Sequence, residues 1–150
     1  MAGYVEYLAF DFQFVGVNQL VQYGVYRDNG AGTHPTTLMN ASLRTVLNAG
    51  FTGYLTLPPV GSPDLTPVSY YWAAINGSGP LGSIDLYCGG SVGNVSYFVS
   101  DASPWPLPAD ISADVLLGVG FVTELRLRVL GGTHLVDHLP GNLIEIMGAL

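Results

Sequence analysis

The sequence predicts a mainly β protein, an antiparallel β-sandwich or barrel carrying one short α-helix. Apolar residues alternate over short runs, Gly and Pro punctuate those runs at close intervals, and only one stretch has helical spacing. The 150 residues are the usual size of one domain, so residues 1–150 are read as a single β-rich unit. The chain is 49% hydrophobic and only 10% charged, against a usual charged share of about 25%. That composition leaves more apolar surface than a monomer ordinarily exposes.

The first run, "YVEYLAFDFQF" at 4–14, places Tyr4, Leu8, Phe10, Phe12 and Phe14 at even positions, with Asp11 and Gln13 opposite and Glu6 interrupting the apolar face. This is a strand pattern. "QLVQYGVYR" at 19–27 follows a break at Gly16 to Asn18, so the two runs are expected to pair as a hairpin. "RDNGAG" at 27–32 then supplies an Asp-Asn-Gly turn. In "PTTLMNASLRTVLNAG" at 35–50, Leu38, Met39, Leu43, Val46 and Leu47 recur at helical spacing. Pro35 and Thr36 suit a helix start and Gly50 the left-handed residue after its end, which predicts a helix over about residues 36–49. The competing reading is a polar loop followed by a strand.

From Phe51 onward the strands are "FTGYLTL", "VSYYWAAI", "SIDLYC", "NVSYFVS", "FVTELRLRVL" and "NLIEIM". The run "SYYWAAI" is apolar or aromatic on both faces, which places it in the middle of a sheet. Two Pro-rich connections, at 58–67 and 102–112, are stiff and of the length that loops with a function often have.

No apolar run reaches the roughly 20 residues of a membrane-spanning helix, and Gly interrupts "VLLGVGFV" at 115–122, so no membrane partner is expected. The opening "MAGYVEYLAF" has no basic flank or continuous apolar region, so synthesis in the cytoplasm without a signal peptide is expected. Four Arg, no Lys and eleven acidic residues give a net charge of −7, which argues against nucleic acid as a partner. Cys88 is alone, so neither a disulfide framework nor a multi-cysteine zinc site is expected. The sequons at Asn40, Asn76 and Asn94 are read as a by-product of composition.

Candidate chemistry is sparse. In "GGTHLVDHLP", His134, Asp137 and His138 would share one face of a helix and could approach a metal, but Gly131-Gly132 and Pro140 leave only a marginal length for one. On a strand His134 and His138 stand about 13 Å apart, too far for one ion. A further His, His34, has nothing in the sequence to bring it near. Cys88 beside Gly89, Gly90 and Ser91 lacks the strand-then-helix setting of a nucleophile elbow. The glycine clusters lack the Lys-Ser/Thr of a phosphate cradle. Asp101, Asp110 and Asp114, in or near the Pro-rich loop and close to Trp105, could supply a carboxylate pair for glycoside hydrolysis, but Asp is also common in ordinary turns and at helix N-caps. No catalytic residue, metal or cofactor is expected.

The function expected is therefore structural. The chain is read as a non-enzymatic assembly protein that associates with itself or with another structural protein, most simply as a virion component that decorates a capsid or belongs to a tail. Its expected interface comprises Tyr4, Tyr7 and Phe10 in the first strand, Trp105 in the Pro-rich loop, Arg126 and Arg128 in "TELRLRVL", and Leu143, Ile144 and Ile146 near the end. On this reading, removing residues 1–8 or 143–150 abolishes assembly and leaves a folded monomer. The alternative is a carbohydrate- or small-ligand-binding β-sandwich using Trp105 with Tyr87 or Tyr97 as an aromatic platform.

Overall fold

The computed structural model describes residues 3–61, 64–66, 70–80, 82–87, 96–99, 106–113, 116–118, 125–130, 135–136 and 142–146, with the strands after residue 95 given by backbone path and register. In chain order these strands are β1 (Gly3–Val15), β2 (Gln19–Asp28), β3 (Pro35–Ala41), β4 (Thr45–Leu47), β5 (Gly53–Leu57), β6 (Asp64–Leu65) and β7 (Tyr71–Gly77). They continue as β8 (Ile84–Leu86), β9 (Ser96–Val99), β10 (Leu116–Gly118), β11 (Leu125–Leu130), β12 (Leu135–Val136) and β13 (Asn142–Ile146). The protein is mainly β, with two sheets and no helix among the described residues.

The long first strand is the spine of one sheet. Leu8, Ala9 and Phe10 of β1 pair with both β11 and β5, so these flank opposite edges of the spine, all antiparallel. β6 and β8 pair with the two ends of β1, and β12 extends the sheet beyond β11. The second sheet runs β10-β9-β13-β7-β2-β3, with β4 also paired to β2. It is antiparallel except at β13, which lies parallel to both β7 and β9.

The sheets pack face to face as in a sandwich. Leu8, Phe10 and Phe12 from β1 meet Val21, Tyr23 and Val25 from β2 and Tyr71, Ala73 and Ile75 from β7 in one core. Phe10 and Tyr23 set ring edge against ring face with centroids 4.7 Å apart, a favoured aromatic geometry. Alternation sends the intervening residues to the other side of the second sheet, where Tyr26, Trp72 and Ala74 form another core with Leu107 and Ile111. Every residue of β7 is buried, as the two apolar faces of "SYYWAAI" require.

Two expectations are corrected. β1 and β2 do not form a hairpin: they lie in different sheets and face each other across the core. Each strand has one strongly apolar face, and stacking the faces buries both, so Gly16 to Asn18 is a corner between sheets. The corner is held by Gly16 N–H donating to Ser83 O at 2.8 Å. The helix expected over 36–49 is replaced by β3 and β4. Adjacent Leu38 and Met39 pack into the second and first cores respectively, so their pairing marks a strand covered on both sides. Gly50 does take the left-handed conformation, φ 83°, but in a turn closed by Phe51 N–H to Asn48 O.

Candidate functional site

The interface residues expected in β1 divide. Phe10 is fully buried in the inter-sheet core and belongs to the fold, because the alternation that makes a strand amphipathic points this face inward. Tyr7 is half-buried opposite Arg128, and Tyr4 is 36% exposed opposite Leu130. Arg126 stands in register with Ala9. The two arginines are thus neighbours of the spine strand.

Leu143, Ile144 and Ile146 lie in β13, in register with Ala73, Ala74 and Asn76 of β7 on one side and with Ser96, Tyr97 and Val99 of β9 on the other. Both edges of this strand are spent inside the sheet. Residues 1–8 likewise include the part of β1 that pairs with β6 and much of β11. Removing either segment takes out sheet interior, contrary to the expectation of a folded monomer. Trp105, His134, Asp137, His138, Cys88, Asn94, Asp101 and Asp114 lie outside the described residues.

Residues 106–112 of the second Pro-rich connection form a strap over the outer face of the second sheet. Leu107 and Ile111 plug that face, and the backbone follows β3 through Leu38 N–H to Ala109 O and Ile111 N–H to Thr36 O, both 2.9 Å. Tyr26 Oη donates to Pro108 O at 2.6 Å. Gly24 makes the close approach possible, since a Cβ there would stand 2.7 Å from a Leu107 methyl and 2.9 Å from one of Leu38. Asp110 accepts from the Ser112 hydroxyl and N–H, which hold its exposed carboxyl below the ordinary aspartate range. It is a turn-former here. Farther along β3, Ser42 bridges Pro59 and Val60 N–H donates to Ala41 O at 2.8 Å, so other chain segments cover this edge too.

At the β2–β3 hairpin, Asp28 Oδ2 accepts from Gly30 and Gly32 N–H and its Oδ1 from Trp72 Nε1, each at 2.7 Å. This carboxylate anchors a turn whose glycines sit at φ 89° and 73°. His34 Nδ1 donates to Pro35 O at 2.5 Å. Among the described residues no three His, Cys, Asp or Glu side chains are arranged to hold a metal, and no helix is long and apolar enough to cross a membrane. Asn76 is buried, and the Asn40 amide donates to Val60 O, so both sequon side chains are built into the fold.

The surface feature that sequence reasoning missed is an apolar corner of the second sheet. Leu43 is 73% exposed, Val46 66% and Val60 55%. Leu43 follows the Ser42–Pro59 bridge, Val60 is hydrogen-bonded to Ala41, and Val46 stands opposite Leu20. Three leads in one corner differ from single apolar residues scattered over a surface. A signal was present in the sequence: between Asp28 and Asp64 there is no carboxylate, and Arg44 is the sole charged residue, in a chain with eleven acids. Helical spacing had put Leu43 and Val46 on the apolar face of an expected helix, and Val60 lay in the first Pro-rich connection. A comparison with protein-family models, curated proteins and solved structures returns no match.

Proposed function

We propose that this protein is a non-enzymatic structural subunit that assembles with copies of itself, in the setting of a virion shell or tail. The observation that carries the reading is the exposure of Leu43, Val46 and Val60, on a segment from residue 29 to 63 that itself contains no carboxylate. Two copies with a net charge of −7 repel, and surface contributed by a segment that has no carboxylate of its own favours their approach while removing apolar area from water. The corner is also rigidly built, because the Ser42–Pro59 bridge and the β2–β4 pairing fix its backbone before any partner arrives. A second structural protein of the same particle would meet the same surface.

Replacing Leu43 and Val46 together by Ser tests this. Both are exposed, so the fold is expected to keep its circular dichroism and melting behaviour, while the particle dissociates toward monomer in sedimentation velocity. Unchanged association of a folded double variant would refute the reading.

A further inference from the structure

We propose that Asn29 is a self-modifying residue: the turn between β2 and β3 promotes closure of the Asn29 carboxamide onto the Gly30 backbone nitrogen, giving a succinimide that water opens to aspartate or isoaspartate. The proposal goes beyond the assembly reading and does not depend on it.

The chain contains two Asn-Gly pairs, Asn29-Gly30 and Asn76-Gly77, in each of which a glycine without a Cβ leaves its nitrogen open to approach. The structure separates them. Asn76 is 1% exposed, and Asn76 and Gly77 are paired with Gln22 and Val21 of β2, so that both the side chain and the backbone are held inside the sheet. Asn29 and Gly30 are exposed, and a Cβ built at Gly30 would meet nothing within 4 Å, which leaves room for a ring to form and for water to reach it. Asn29 N–H donates to His34 O at 2.8 Å and closes the base of the turn.

A group of the turn stands at each atom that reacts. Gly30 N–H donates to Asp28 Oδ2 at 2.7 Å, which sets a carboxylate at the proton that the nitrogen must lose. Asn29 Oδ1 accepts from Ala31 N–H at 3.0 Å and, more distantly, from Thr33 N–H at 3.5 Å, so two backbone dipoles face the oxygen on which negative charge develops. Asn29 Nδ2 donates to Thr33 Oγ1 at 2.8 Å, a polar contact at the nitrogen that leaves. Attack of the Gly30 nitrogen on Asn29 Cγ forms the new C–N bond as the proton passes to Asp28. The oxyanion then collapses, the Cγ–Nδ2 bond breaks, and the proton returned from Asp28 completes ammonia. Water adds to either carbonyl of the succinimide and opens it, leaving aspartate or, with an extra methylene in the backbone, isoaspartate. Either product places a new carboxylate next to Asp28, and isoaspartate also lengthens the connection between β2 and β3.

The test incubates the full chain at neutral pH, folded and in urea, and follows both Asn-Gly pairs by peptide mass mapping with isoaspartate detection. Asn29 is expected to convert about tenfold or more faster in the folded chain than in urea, and Asn76 to convert more slowly when folded. Asp28→Asn and, separately, Thr33→Val are expected to bring the folded rate at Asn29 down toward the rate in urea, with circular dichroism establishing that each variant is folded. Thr33 is exposed, so its variant carries the test where Asp28→Asn disturbs the hairpin. Conversion at Asn29 no faster in the folded chain than in urea, or folded variants that convert as fast as the wild type, would overturn the assignment.

Discussion

Burial pushes the Tyr23 phenol well above its ordinary pKa of about 10, while a hydrogen bond with the Phe10 backbone works weakly in the other direction. Its hydroxyl donates to Leu55 O at 3.0 Å and so ties the second sheet to the edge strand of the first. Because the folded chain keeps this proton and the unfolded chain releases it, Tyr23 contributes stability below pH about 10 that is lost as pH rises further. Tyr23→Phe is expected to cost about 1 kcal/mol at pH 7 in urea unfolding and to flatten the alkaline loss; an unchanged alkaline slope would assign that loss to other groups. Asp28 is the second test at this scale. Asp28→Ala leaves the buried Trp72 indole N–H and two hairpin amides without their acceptor, an expected loss of about 2–3 kcal/mol in the same assay. The turn role of Asp28 was legible in "RDNG", but its bond to Trp72 was not, because that partner lies 44 residues away and only the antiparallel pairing of β2 with β7 brings it in.

Periodicity read from one strand reports how many of its faces are covered, but not by what. The strand pattern from Phe51 onward was legible, since Gly and Pro bracket runs that recur as β5, β7, β8, β9, β11 and β13. β3 and β4 were not, because a strand with apolar residues on both faces imitates helical spacing over a short window. The strap supplies the missing cover, and Gly24 is the position that tests it. Gly24→Ala drives a Cβ into Leu107 and is expected to cost about 1–3 kcal/mol, most of it recovered when Leu107→Ala is added. Strictly additive losses would mean that the strap does not bear on β2. Removal of residues 142–150 deletes β13 from between β7 and β9. The shortened chain is expected to lose its cooperative melting transition, and a cooperative transition near that of the full chain would contradict the topology.

At the scale of the whole molecule, the composition is explained first by β2, β3 and β7 of the second sheet, which contribute to a core on each face and so consume apolar residues that a one-faced sheet would not. Among the described residues, what remains outside includes Leu43, Val46 and Val60 near the β2–β4 pairing and Phe14 and Tyr87 near β8, besides Tyr4, Val17 and Tyr70. The sequence pointed to an apolar interface but assigned part of it to Phe10, which the fold buries between the sheets, and to β13, which it places between β7 and β9, because composition reveals an excess without its position. The candidate site became visible only when Leu43 and Val46 left a supposed helix face and emerged beside Pro59 and Val60. The decisive measurement is the native mass of the purified chain by light scattering over a wide concentration range. Assembly of copies predicts a mass that rises above the 15.9 kDa of one chain in whole multiples as concentration increases. A constant mass of one chain at all concentrations would contradict it.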